Sequence, residues 1–145
     1  MREITINEVY KLEECLKALA EHHNEMSTYF KGQYPKKPFK ETLASFEKDL
    51  ASGKSRIAVI ENEEKILGFC KIDLEETSGK IDYLIVLGEA RGKGYGNALI
   101  EWALDVFGKN GITKIEVKVG EGNNALSFYE KYGFKPNARI LMMDM

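Results

Sequence analysis

The stretch that most constrains the fold is residues 81–98, IDYLIVLGEARGKGYGNA, which joins an apolar run to a glycine-rich basic loop. The apolar run is rich in β-branched and aromatic residues and predicts a buried strand. The loop, residues 91–96, leads into a helical pattern that starts at Asn97. A strand that feeds a glycine-rich turn at a helix start predicts an anion site, because free N–H groups and the helix dipole point the same way. Glycines let a phosphate approach the backbone closely, and Arg91 and Lys93 add positive charge.

The composition is that of an ordinary globular protein and argues against several function classes. The 145 residues predict one domain, with 43% hydrophobic and 30% charged residues. The net charge of -2 argues against general nucleic-acid binding. The polar N-terminus predicts no signal peptide, and no apolar run approaches the roughly 18 residues of a membrane span, so we expect a cytoplasmic protein. Cys15 and Cys70 lie in apolar segments without metal-ligand spacing, which favours reduced thiols and no metal site.

The hydrophobic periodicity predicts a mixed α/β fold. Strands are indicated at residues 2–7, 55–61, 65–74, 80–87, 113–119 and 134–145, the last interrupted by Pro136. Amphipathic helices are indicated at residues 7–23, 39–50, 97–107 and 125–132. The three central strands form an antiparallel meander. The helix after the glycine loop then joins the third of these strands to a parallel partner in a βαβ unit.

Other phosphate-binding loops fail on spacing. A P-loop ends in Gly-Lys-Ser/Thr, whereas Gly94 follows Lys93 here. The dinucleotide pattern G-x-G-x-x-G reaches Asn97 when counted from Gly92 and Leu99 when counted from Gly94, and a kinase loop fails in the same way. Three alternating glycines with Arg and Lys are a costly way to make a simple turn. A loop that holds a pyrophosphate is the interpretation that remains.

Two motifs resemble the hallmarks of the Gcn5-related N-acetyltransferase family. Arg91, Gly94 and Gly96 match the family pattern R/Q-x-x-G-x-G/A. Residues 125–134, ALSFYEKYGF, resemble the second pattern, A-x-x-F-Y-x-x-x-G-F, at the expected separation of one helix and one strand. The resemblance covers residues 57–134. It implies a fold in which the central strand carries a bulge and splays from the parallel strand that follows.

The resemblance also implies acetyl-CoA as the co-substrate. The pantetheine arm would pair with the splayed strand, and the pyrophosphate would lie on the glycine loop. On the far side of the arm an asparagine would hold it and an aromatic ring would pack against it. The residues expected to bind the cofactor are Leu84, Ile85, Val86, Arg91, Gly92, Lys93, Gly94, Tyr95, Gly96, Asn123, Asn124 and Phe128.

Acetyl transfer to a primary amine needs an oxyanion donor, a proton for the leaving thiolate and a base, since an amine with a pKa near 10.4 is charged at pH 7. The resemblance implies that a backbone N–H near Val86 binds the oxyanion. It also implies that Tyr129 is the general acid; a core aromatic with a satisfied hydroxyl is the alternative. The transfer would be direct, in a ternary complex, because neither cysteine lies where a nucleophile is needed.

The base is less well defined by the pattern. Many members of the family carry a glutamate early in the central strand, where this chain has Lys80. We expect Asp82, two residues on, to act directly or through water; holding a cationic acceptor is its alternative role. The rivals are ordered water, Glu116, His22 and His23.

The sequence leaves the acceptor and the assembly open. Small amines, antibiotics and peptides all fit as acceptors, and so do longer acyl groups. The aromatics between the first two helices form either a pocket wall or a hydrophobic cap; they are Tyr29, Phe30 and Tyr34. The short final segment predicts a bent strand or truncated hairpin with an exposed edge, so both a monomer and a homodimer are possible. A non-catalytic acyl-CoA-binding or sensor module is the alternative function.

Overall fold

A computed structural model describes residues 1–27, 32–119 and 125–145 of the chain. The strands are β1 (Arg2–Glu3), β2 (Ser55–Glu61), β3 (Ile66–Glu75), β4 (Ser78–Val86) and β5 (Lys114–Val117). The α-helices are α1 (Glu13–Met26), α2 (Phe39–Ala51), α3 (Tyr95–Lys109) and α4 (Ala125–Glu130). Short 3-10 helices at Ile6–Leu12 and Gly88–Ala90 precede α1 and α3. None of the helices in these ranges is long and apolar enough to cross a membrane.

The five strands form one mixed sheet in the order β1-β2-β3-β4-β5. The pairs from β1 to β4 are antiparallel, and α3 joins β4 to the parallel strand β5. The predicted meander and βαβ unit are therefore confirmed, and with them the mixed α/β fold class.

Helices cover both faces of the sheet. On one face α1 and α2 bury a cluster that includes Phe46 and Phe69, and on the other α3 and α4 bury one that includes Phe107 and Tyr129. Alternate residues of the inner strands therefore serve two cores, which explains why β2 and β3 are apolar almost throughout. A Cβ on Gly79 would lie 2.8 Å from Cδ1 of Phe107, so only glycine lets α3 approach β4 this closely.

Strand β4 carries a bulge and then separates from β5. Tyr83 pairs with Lys71, but the next pair along β3 is Ile72 with Ile81, so Asp82 is the extra residue. The pairing of β4 with β5 ends at Ile81 and Val117, although β4 continues to Val86. The bulge and the splay that the family resemblance implies are both confirmed.

The two ends of the chain differ from the prediction. Strand β1 is only two residues long, because a 3-10 helix starts at Ile6 and turns Val9 and Leu12 into the core. The prediction of a final strand was wrong: residues 134–145 form no strand, and Leu141 is 91% exposed. Pro136 lacks the N–H that a ladder needs, and the polar residues after it interrupt the apolar alternation.

Helix α3 begins at the glycine loop itself. Its first residue is Tyr95, two residues before the predicted start, and Gly94 precedes it with φ +80°. A residue in the left-handed backbone conformation turns the chain sharply out of the loop, and glycine adopts this conformation without steric cost. The predicted asparagines Asn123 and Asn124 and the aromatics Tyr29 and Phe30 lie outside the described residues.

Candidate active site

A cleft of about 250 Å³ opens where β4 and β5 separate. Its lining comes from α1, β4, β5 and α4: Leu19, His23, Ile81, Asp82, Tyr83, Leu84, Val117, Lys118, Val119, Ala125 and Tyr129. The two predicted catalytic residues, Asp82 and Tyr129, therefore share one cavity with the predicted cofactor contact Leu84. Ile85 and Val86 are not among the lining residues described. The side chain of Ile85 packs under α1 and α2, while that of Val86 packs toward α3.

A larger but shallow depression of about 440 Å³ lies elsewhere, over Ile4, Thr5, Ile6, Asn7 and Leu50. None of these side chains titrates near neutral pH or offers a nucleophile suited to acyl transfer. The cleft at the splay is therefore the better candidate for the active site.

Tyr129 is held in the wall of the cleft by aromatic packing. Its ring lies edge-on to Phe128 and Phe134, with centroid distances of 5.3 and 5.7 Å, and it is 6% exposed. Burial, and then the nearby Cys70, raise the pKa of the Tyr129 phenol well above its usual value. The hydroxyl therefore keeps its proton at neutral pH, which a general acid requires.

Asp82 is anchored by a cation that the sequence analysis missed. Nζ of Lys71, a fully buried side chain of β3, lies 2.8 Å from Asp82, 2.7 Å from Asp73 and 2.9 Å from Asp49 of α2. Burial alone would lower the pKa of Lys71, but hydrogen bonds to the three carboxylates outweigh it and raise that pKa. The second oxygen of Asp82 lies 3.5 Å from Nζ of Lys80.

The oxygens of these three aspartates lie within 4.8 Å of one another, a spacing that would suit a metal ion. The ammonium of Lys71 stands among them, so a side chain already supplies the positive charge. A lysine inside the apolar run of β3, two residues before an aspartate, was the available sequence signal.

His23 reaches the cleft from α1. Its ring centroid lies 4.8 Å from that of Tyr34, and the side chain of Asn24 holds the backbone of Tyr34 through two hydrogen bonds of 2.9 Å. Burial, and then His22 and Lys36, lower the pKa of His23. Its imidazole is therefore neutral at pH 7 and able to accept a proton.

The other two predicted rivals for the base are placed less well. Glu116 is exposed on β5, where it lies opposite Lys80 of β4 in the strand register. His22 stands beside His23 on α1, with ring centroids 6.2 Å apart. Neither belongs to the lining of the cleft among the described residues.

Burial makes both cysteines poor nucleophiles. It raises the pKa of Cys15 to about 12 and holds the pKa of Cys70 well above its usual value. A thiol becomes reactive as its thiolate, so neither is activated at neutral pH.

The glycine loop leaves the start of α3 open to an anion. Gly92 and Gly94 have φ values of +82° and +80°, and Arg91 and Lys93 are exposed beside them. The first N–H groups of any helix have no partner within it, here those that begin at Tyr95. Such N–H groups can hold an anion, and these lie at the end of the strand that lines the cleft.

Phe128 of α4 lies beside the end of the glycine loop. Its ring lies 3.6 Å from the place that a Cβ on Gly96 would occupy, an ordinary van der Waals distance, so α4 packs against the first turn of α3. The two sequence motifs therefore meet in space, although 28 residues separate them: residues 91–96 and 125–134.

Comparison with known proteins agrees with this geometry. The model of the acetyltransferase (GNAT) family matches residues 17–134. A mycothiol acetyltransferase from Beutenbergia cavernae is 40% identical over 65 residues, which are 44% of this chain and only 22% of that protein's length.

Solved structures share the fold along nearly the whole chain. A mutant of the BH1408 protein from Bacillus halodurans superposes with a TM-score of 0.80 at 22% identity, covering 99% of this chain and 98% of that one. The PaiA N-acetyltransferase from Thermoplasma acidophilum, solved in complex with coenzyme A, gives 0.73 at 19% identity over 92% and 87% of the two chains. With more than half of its residues matched by the family model, the chain belongs to the GNAT family of acetyltransferases.

Proposed function

We propose that this protein transfers the acetyl group of acetyl-CoA directly to a primary amine. The observation that carries the proposal is the position of Tyr129, a phenol that is protonated at neutral pH, in the cleft between the splayed strands. A leaving thiolate that emerges there can take the phenol proton. Family membership supports acyl transfer, and the complex of the PaiA relative with coenzyme A supports the cofactor class.

The cofactor would use the cleft and the glycine loop together. The pantetheine arm, which is a chain of amides, would pair with the backbone of β4 beyond Ile81, where β5 no longer does. Leu84, Ile85 and Val86 supply that edge. The pyrophosphate would lie on the N–H groups of residues 92–96, with Arg91 and Lys93 beside it. Phe128 is placed to pack against the arm, and Asn123 and Asn124 stay predictions.

In the proposed reaction a base first takes a proton from the charged amine, and the freed nitrogen lone pair attacks the thioester carbonyl carbon and forms the C–N bond. The carbonyl oxygen becomes an oxyanion, for which a backbone N–H near Val86 is the proposed donor. Collapse of this intermediate breaks the C–S bond, and Tyr129 gives its proton to the sulfur. The nitrogen then gives up its second excess proton to solvent, and the phenol recovers its own from solvent.

Two side chains in the cleft are placed to act on the amine. We propose Asp82 as the base, acting through water, because the β4 bulge turns it into the cleft. It forms ion pairs with Lys71 and Lys80, and its carboxylate also suits attraction of a cationic amine. His23 is the second candidate, since its neutral ring needs no water to accept a proton.

Charge in and behind the cleft favours a cationic acceptor. Asp82 lies in the lining, and Asp49 and Asp73 lie directly behind it around the single buried cation Lys71. The three carboxylates face the ammonium groups of Lys71 and Lys80, so one negative charge is left around Asp82, while Lys118 lines the β5 side of the cleft. We therefore propose amines that carry a positive charge at pH 7, among them small polyamines, aminoglycosides and lysine-containing peptides.

A thiol-release assay with acetyl-CoA and a panel of such amines tests the proposal. Turnover with at least one amine, lost in Tyr129→Phe while CoA still binds, is the expected result. CoA binding without turnover by any amine would favour the alternative, a non-catalytic acyl-CoA-binding module. Absence of CoA binding would contradict both.

A further inference from the structure

A lysine of α4 is tied to the first turn of α3. Nζ of Lys131 lies 3.1 Å from Oδ1 of Asn97, and the hydroxyl of Tyr132 donates to the same oxygen at 2.6 Å. Asn97 is the third residue after Gly94, the cap of α3. The ammonium of Lys131 therefore stands within one helical turn of the N–H groups that would hold the pyrophosphate.

The aromatic rings around Lys131 fix its direction without neutralising its charge. Nζ lies 5.1 Å from the ring centroid of Phe128 and 5.4 Å from that of Tyr132. An ammonium has three hydrogens, and Asn97 accepts one of them. Lys131 is exposed, and among the described residues it forms no ion pair with a carboxylate. The Lys131 ammonium is therefore fixed in position and still has N–H groups that can bind an anion.

Coenzyme A carries a second anion close to its pyrophosphate. The ribose that joins the pyrophosphate to adenine bears a 3′-phosphate, about one sugar ring away. A phosphate monoester carries a charge of about -1.5 to -2 at pH 7. We propose that Lys131 binds this 3′-phosphate and so makes the protein prefer CoA to dephospho-CoA, which lacks that group. This inference rests on the proposed binding of CoA at the glycine loop.

Titration calorimetry with CoA and dephospho-CoA tests the assignment. At low salt the wild-type protein should bind CoA about fivefold more tightly than dephospho-CoA, the scale of one exposed ion pair. Lys131→Met should lose that preference while its affinity for dephospho-CoA stays unchanged, and Lys131→Arg should keep the preference. The preference should shrink as salt screens the pair.

Two matched variants separate charge from structure. Lys135→Met removes an exposed lysine four residues on and should bind both ligands as the wild type does. Asn97→Ala removes the hydrogen bond to Lys131 but leaves the Lys131 ammonium in place, so this variant should keep a preference for CoA. Equal weakening of both ligands in Lys131→Met would show that Lys131 only links the two helices, and no change with either ligand would show that it does not touch the cofactor.

The inference and the proposed function fail in different ways. Tight CoA binding by the wild type, with the same preference in Lys131→Met, would overturn the role of Lys131 alone. A wild-type protein that binds neither CoA nor dephospho-CoA would overturn the proposed function and this inference with it.

Discussion

The ammonium of Lys71 lies 2.8 Å from Oδ2 of Asp82, so a fully buried cation on β3 holds the carboxylate that the β4 bulge turns into the cleft. The same ammonium binds Asp73 and Asp49, which links β3, β4 and α2 at one point. One lysine thereby connects the stability of the sheet to the position of a residue in the candidate active site.

Removal of Lys71 should damage stability and activity together. Lys71→Met leaves three partly buried carboxylates facing one another, and breaking a buried ion pair costs about 3 kcal/mol or more. Urea denaturation should show this loss in the free energy of unfolding. Lys80→Met is the control: Lys80 is 38% exposed and 3.5 Å from Asp82, so its loss should cost under about 1 kcal/mol. Equal losses in the two variants would contradict the role of Lys71.

Loss of the Tyr129 hydroxyl should affect the chemical step and spare cofactor binding. General acid catalysis contributes about a hundredfold or more to a rate, so kcat of Tyr129→Phe should fall at least that far. The Kd for CoA, measured by calorimetry, should change little. Tyr10→Phe removes a hydroxyl that is remote from the cleft, on a residue 66% exposed, and should keep wild-type turnover. Full activity in Tyr129→Phe would exclude it as the acid.

Asp82 and His23 can be distinguished by kinetics. If Asp82 acts on the amine, Asp82→Asn should lower kcat/KM by about a hundredfold, the lower end for a general base. His23→Gln should then have a smaller effect, expressed mainly in KM. The opposite order, with an acid limb of the pH profile that disappears only in His23→Gln, would assign the base to His23.

His23 should also make stability depend on pH. Because its folded pKa is lowered from 6.5, mainly by burial, the folded state resists protonation of this ring. Its contribution is fully present above the unfolded pKa of about 6.5 and is lost as pH falls through the folded value. The measurement is the midpoint temperature of thermal unfolding at pH 7 and at pH 5. Between these two pH values the midpoint of the wild type should drop more than that of His23→Gln. Parallel curves for the two proteins would contradict the lowered pKa.

The close approach of α3 to β4 at Gly79 should tolerate no side chain. In Gly79→Ala the new Cβ would lie 2.8 Å from Cδ1 of Phe107, so the ring or the helix must shift. Overpacking of this kind costs about 1–3 kcal/mol of unfolding free energy. Gly88→Ala is the matched control, since nothing lies within 4 Å of the added atom and its φ is ordinary. Thermal melting of both variants makes the comparison; equal melting temperatures would show that Phe107 has room to move.

Sequence reasoning predicted well where a pattern is local. The apolar run that predicted a strand at residues 55–61 matches β2 residue for residue, and the helical pattern after the glycine loop located the start of α3 within two residues. A bulge in the central strand was expected only from the family resemblance, and its position at Asp82 is known only from the structure.

Features that depend on distant residues could not be predicted in this way. Lys71 meets Asp49, 22 positions earlier in the chain, and no spacing rule brings β3 and α2 together at that point. Residues 134–145 show the reverse error, because apolar residues near Ile140 suggested a strand although Pro136 and the polar residues after it break the ladder.

The most direct test of the central claim is calorimetric titration with acetyl-CoA, with NAD and ATP as controls. We expect selective binding of acetyl-CoA that weakens in Gly94→Ala, because an alanine at φ +80° strains the turn that presents the N–H groups of α3. Absence of acetyl-CoA binding, or equal binding of NAD or ATP, would contradict the assignment of the glycine loop and the mechanism built on it.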